Sequence, residues 1–151
     1  MVFAKTPFAA GELSKQIQKK EFCKKYLAVL TADLSDKLDK DKELLTDYLV
    51  KNGRTNLSSV TTEKDPNGKK AQLYYTVRSV QDGLSLVEVE LLTGRHHQIR
   101  VQLANAGAFI LGDSRYGEMI PGLLMRQKIA LCAVSLVFKH PVSGKKLHFQ
   151  L

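Results

Sequence analysis

Residues 72–92 carry the pattern that most restricts this chain. In 72–80, Leu73, Tyr75 and Val77 recur at every second position. After Gln81-Asp82-Gly83 the alternation resumes over 84–92, with Leu84, Leu86 and neighbouring valines as the apolar set. A period of two places successive side chains on opposite faces of a strand. An Asp-Gly pair between two such runs signals a tight hairpin. A lone hairpin is at best marginally stable in water, so its apolar face needs further strands or a helix.

The rest of the sequence predicts both. Thr6-Pro7 is a helix start, a capping hydroxyl followed by proline, and Phe8, Leu13 and Ile17 recur at near-helical spacing up to Lys19-Lys20. Residues 22–30 read as a strand, with Tyr26, Ala28 and Leu30 on one face and Leu27 and Val29 on the other. Residues 31–45 are polar and read as a loop; short strands follow near 46–50 and 57–62. Asp65-Pro66-Asn67-Gly68 is a turn. A helix is expected from near Arg95, with Ile99 and Leu103 on one face and Gly107 as its stop. Two late strands, 129–138 and 146–151, are joined by 140–144. Strands outnumber helices and most are linked by turns, which predicts an α+β fold with a mostly antiparallel sheet.

Several classes are set aside. The longest mostly apolar run, 129–138, is too short for a membrane helix, and the first residues do not read as a signal peptide. Cys23 and Cys132 stand far apart and form no ligand pair, so a reducing, cytoplasmic setting is expected; both sit in apolar runs, where a small buried thiol is the usual occupant. The nucleotide-binding and hydrolase glycine motifs are missing. Lys and Arg outnumber Asp and Glu by 23 to 15, a net charge of +8. That excess fits a nucleic-acid partner or simply lysine-rich solvated loops.

The densest polar stretch is Thr93-Gly94-Arg95-His96-His97-Gln98-Ile99-Arg100, where a strand turns into a helix. Such a start, with Arg95 beside it, favours an anion; a basic solvated helix face is the plainer alternative. Arg100, flanked by Ile99 and Val101, is expected to be partly buried and to need a carboxylate or phosphate partner. Adjacent histidines on a helix do not share a face, so no metal site is expected at His96 and His97. Lys24-Lys25-Tyr26 is either an aromatic platform beside phosphate-binding charge or an ordinary strand with a half-buried tyrosine.

The stretch Leu-Leu-Thr-Gly-Arg-His-His-Gln-Ile-Arg, continuing to Gly112-Asp113-Ser114-Arg115-Tyr116-Gly117, resembles the pseudouridine synthases of the RluA type, which modify ribosomal or transfer RNA. The family pattern is G-R-x-H-Q-I/L-R, a short helix, then G-D-x-x-Y-G. Lys24-Lys25-Tyr26-Leu27-Ala28 is similar to the family's K-x-Y-x-A strand, and Ile129-Ala130-Leu131 with 140–145 to its last strand pair. The resemblance implies a mostly antiparallel sheet with a central cleft, isomerisation of uridine in RNA, and no metal or organic cofactor. It implies that Tyr26 stacks on the flipped uracil, that Arg100 pairs with a nucleophilic aspartate, and that Leu131 lines the pocket. Lys24, Lys25, Arg95, His96, His97 and Gln98 become the expected RNA contacts.

The family's H-R-L-D aspartate occurs nowhere in these 151 residues. Residues 1–151 are therefore read as a partial catalytic domain, N-terminally truncated and inactive alone, with a non-catalytic RNA-binding remnant as the alternative. Asp113 is assigned a structural place in G-D-x-x-Y-G, not the nucleophile's. Arg100 is expected to lack its carboxylate and hold a solvent anion. A sheet edge near Val2 and Ala4 is expected to be exposed and open to self-association.

Overall fold

The computed structural model describes residues 2–117 and 128–151. Helix α1 spans Pro7–Gln18; its Thr6 cap accepts from the Ala9 N–H at 3.2 Å, as the Thr-Pro start predicts. Strands β1 (Cys23–Leu30), β2 (Glu43–Asn52), β3 (Leu57–Thr61), β4 (Lys69–Gln81) and β5 (Leu84–Leu91) follow. Helix α2 spans Gln98–Asn105, and β6 (Leu131–Lys139) and β7 (Lys146–Gln150) come last. All seven strands form one sheet in the order β3-β2-β4-β5-β1-β6-β7, and every neighbouring pair is antiparallel.

The β4–β5 hairpin is its centre. Asp82 (φ 52°) and Gly83 (φ 75°) both take the left-handed conformation, the two-residue turn that matches strand twist. On the inner face Leu73, Tyr75 and Val77 lie beside Val89 and Val87, then Ala28 and Leu30 of β1. Ile99 and Leu103 of α2 close this core from above. Tyr75 also bonds Glu43, which Lys37 meets at 2.7 Å.

Several expectations are corrected here. Leu84 and Leu86 lie on the outer, half-exposed face; Ser85, Val87 and Val89 are the buried set. The pairing passes from Val77↔Val87 to Ser79↔Leu86, so a bulge at Arg78 shifts the alternation. The expected loop at 31–45 holds a 3-10 turn, Ser35–Lys37, and the first residues of β2. Helix α2 starts at Gln98, three residues after Arg95.

Of the apolar positions read along α1, Leu13 is buried, whereas Phe8 and Ile17 are exposed. The helix is held partly by a polar clamp. Gln16 donates through Nε2 to the Lys139 carbonyl and accepts from the Lys139 N–H, both at 2.8 Å. Cys23 and Cys132 are exposed. Each belongs to the register of Lys25 and Leu27, on the face turned away from both helices. Val2 and Ala4 are not in the sheet; its edges are β3 and β7.

Candidate functional site

Two regions of the inner face hold the expected site residues. The first is on β1. Lys24 and Tyr26 share the inner face, and Lys24 Nζ sits 5.0 Å from the centre of the Phe22 ring. Both line an apolar groove of about 1030 Å³, walled by Leu13 and Ile17 of α1 and by Phe138 and Phe149 of β6 and β7. Val2 and Ala4 also line it. Burial raises the Tyr26 pKa, so its hydroxyl stays protonated at neutral pH. Leu131 pairs with Ala28, packs against the core and lies outside the lining of this groove. Lys25 points to the opposite face and pairs with Glu88 at 3.0 Å, so the two lysines lie on opposite sides of the sheet.

The second region surrounds α2. Its N-cap, His97, sits in the left-handed region at φ 53°, which a side chain other than glycine's adopts rarely. This kink brings the polar stretch together. The His96 and His97 rings stack at 3.8 Å. His96 Nδ1 meets Ser58 Oγ at 3.0 Å, and His97 Nδ1 meets the Tyr116 hydroxyl at 3.0 Å. That hydroxyl also accepts from the Ser58 N–H at 2.8 Å.

Arg100 holds the centre, and its partner is Asp113. Nε donates to Oδ2 at 2.8 Å and Nη2 to Oδ1 at 2.6 Å. The expected solvent anion is therefore not needed: a carboxylate thirteen residues downstream saturates this edge. Asp113 Oδ1 further accepts from the N–H groups of Arg115 and Tyr116. Burial acts to raise the Asp113 carboxyl pKa; the Arg100 hydrogen bonds and these backbone donors outweigh it and hold it below the usual range. The Tyr116 ring lies 4.9 Å from the guanidinium.

These contacts explain G-D-x-x-Y-G. Asp113 closes a turn on the two N–H groups, Tyr116 supports Arg100, and Gly117 is required because a Cβ there would lie 2.5 Å from the Asp113 carbonyl oxygen. Both imidazoles have lowered pKa values. Burial leads, followed for His96 by the charges of Lys51, Arg100 and Arg115, and for His97 by those of Arg100, His96 and Arg115. Both rings are therefore neutral near pH 7.

Two further expected RNA contacts are placed differently. Arg95 is exposed, with Nε on the Lys70 carbonyl at 3.0 Å. Gln98 is buried at 3% exposure. Its Nε2 donates to the Gln72 carbonyl and Gln102 Oε1, while its Oε1 accepts from Thr93 and the Arg95 N–H. It ties the loop and α2 to β4 and offers nothing to a ligand. No hydrogen bond or ion pair among the described residues joins Tyr26 to Arg100. Ser58, Asp113 and Tyr116 are the site members that residue-by-residue reading missed. The collinear G-D-x-x-Y-G was visible, but its contact with Arg100 was not.

The family model described as "RNA pseudouridylate synthase" matches residues 1–105. A Helicobacter pylori (strain J99) protein called "Uncharacterized RNA pseudouridine synthase" is 31% identical over 156 residues, covering 100% of this chain and 46% of that protein. "Ribosomal large subunit pseudouridine synthase C" of Buchnera aphidicola is 33% identical, covering 98% of this chain and 47% of its own. The chain thus spans under half the length of these relatives. Among solved structures, "Human RNA Pseudouridylate Synthase Domain Containing 1" superposes with a TM-score of 0.76 at 23% identity, over 98% of this chain and 61% of that one, a likeness of fold. The chain belongs to the RNA pseudouridylate synthase family.

Proposed function

We propose that this chain forms most of the uridine-binding side of an RNA pseudouridine synthase. In that reaction the glycosidic bond of a uridine breaks, the uracil turns, and carbon 5 rejoins the sugar. The observation that carries the reading is the family match over residues 1–105, which includes Tyr26 and Arg100. The geometry supports it. Tyr26 offers a neutral aromatic face at a groove, a surface on which a base drawn from its stack can rest. Arg100 is oriented by a buried carboxylate, and its Nη1, with only a long 3.4 Å contact to His97 Nε2 among the described residues, is the nitrogen left for another group. The substrate is a looped segment of ribosomal or transfer RNA in the cytoplasm, because an unpaired uridine costs least to extrude. Lys24, Arg95, His96 and His97 are its contacts.

The covalent step needs a nucleophile, and none of the described groups replaces the H-R-L-D aspartate. Stacking and charge can position and stabilise but cannot supply a covalent intermediate. The deciding experiment compares the 151-residue chain with a chimera in which a relative's H-R-L-D segment precedes Val2. Both are incubated with ribosomal and transfer RNA, and pseudouridine is read by mass spectrometry. The chimera is expected to turn over and the chain alone is not. Turnover by the chain alone would assign the chemistry to another residue. A chimera that binds RNA without turnover would favour a non-catalytic RNA-binding role.

A further inference from the structure

The hydrogen bonds of Arg100 are unevenly spread over its guanidinium. Nε and Nη2 form a fork on the two oxygens of Asp113. Among the described residues Nη1 meets His97 Nε2 alone, at a long 3.4 Å. Because Nη1–H is a donor, His97 Nε2 must accept and its proton must sit on Nδ1, facing the Tyr116 hydroxyl. The Tyr116 hydroxyl, which accepts from the Ser58 N–H at 2.8 Å, has a second lone pair to receive that Nδ1 proton. One edge of Arg100 is thus fixed twice over, and the other carries a weak, replaceable contact.

We propose that Asp113 is a positioning residue: by holding the Nε–Nη2 edge it makes Nη1 the donor that Arg100 presents to a second carboxylate. The reading of this chain as a pseudouridine synthase supplies the identity of that carboxylate, the family's nucleophilic aspartate; the edge assignment itself rests on the geometry alone. Asp113 is suited to the task because it cannot swing. Its side chain is 1% exposed, and Oδ1 is fixed by the N–H groups of Arg115 and Tyr116. The Tyr116 ring keeps the guanidinium plane from tipping. Without Asp113 the Nε–Nη2 edge, the better match to a carboxylate fork, would take the incoming group and turn Nη1 away.

The test is nitrogen-15 NMR of the arginine side chains in the 151-residue chain, titrated with acetate as the carboxylate probe at low temperature. In the wild type the acetate-dependent shift is expected at Nη1, with the Nε–H resonance unmoved and slow to exchange. In Asp113→Asn the acetate shift is expected to move to Nε and Nη2, and binding to tighten about tenfold or more as a charge-assisted fork becomes available. A wild-type shift at Nε, or none at any Arg100 nitrogen, overturns the proposal. So does an unchanged Nη1 pattern in Asp113→Asn, which would leave Asp113 a plain structural staple. Should Asp113→Asn fail to fold, Asp113→Glu takes its place. A longer carboxylate that still holds the Nε–Nη2 edge is expected to restore the Nη1 pattern; acetate at Nε in that folded variant also overturns the proposal. Neither arm reads turnover, so a failed pseudouridine assay and a failed edge assignment remain separate results.

Discussion

Arg100→Ala isolates the energetics of the site. The Asp113 side chain is 1% exposed and that of Arg100 18%, so the variant strands a buried carboxylate with two backbone donors and no cation. Breaking a buried pair from one side costs about 3–5 kcal/mol. For a domain of this size that corresponds to a fall in melting temperature of about 6–20 °C. The pH dependence gives a sharper check. In the wild type the Asp113 carboxyl is held below its ordinary value. Its stabilising contribution is therefore present above the unfolded value of about 3.9 and is lost as pH falls through the lower folded value. In Arg100→Ala the burial that opposed ionisation is no longer outweighed by the guanidinium, so the carboxyl shifts upward and takes a proton earlier on acidification. The stability gap between wild type and variant should narrow from about pH 7 to about pH 5. Urea unfolding at both pH values measures it. A gap below about 1 kcal/mol near neutrality, the size of an exposed pair, would refute the buried-pair reasoning. A gap that widened on acidification would refute the pH argument.

In the chimera carrying an H-R-L-D segment, Arg100→Ala should abolish turnover with RNA affinity nearly intact, since Arg100 is directed at carboxylates; filter binding beside the pseudouridine assay separates the two, and activity within a few fold of wild type would sink the role. Gly117→Ala should destabilise by about 1–3 kcal/mol, because its methyl would meet the Asp113 carbonyl oxygen at 2.5 Å; thermal melts read this directly. Lys24→Ala and Arg95→Ala should each reduce the log–log salt slope of RNA binding by about 0.7–0.9, whereas Lys25→Ala, already paired with Glu88, should leave it nearly unchanged. Equal effects from all three would mean that the facing of Lys25 does not govern its access to RNA.

Much of this architecture follows from neighbours along the chain. The alternation of 72–92 around Asp82-Gly83, the Thr6-Pro7 start and the Gly107 stop are local, because strand period, turn geometry and capping depend on residues a few positions apart. The G-R-H-H-Q-I-R and G-D-S-R-Y-G segments are likewise legible in one dimension, and so is the family they resemble. What folding alone decides is which groups meet and which face is covered. Leu84 and Leu86 turn outward because Val87 and Val89 of the same strand are the residues that meet Val77 and Tyr75 on the inner face, a choice made by cross-strand pairing. Both helices pack on one side of the sheet, so Cys23, Cys132 and Lys25 emerge on the other although their local sequence looks no different from that of Ala28. Gln98, polar and inside a functional motif, is buried because four partners from the loop, β4 and α2 converge on its amide. The need of Arg100 for an anion could be read from its apolar flanks, but the identity of that anion could not. The turn that brings Asp113 back over α2 exists only in the folded chain, and a charge inside a protein is satisfied by what lies beside it in space, not in sequence.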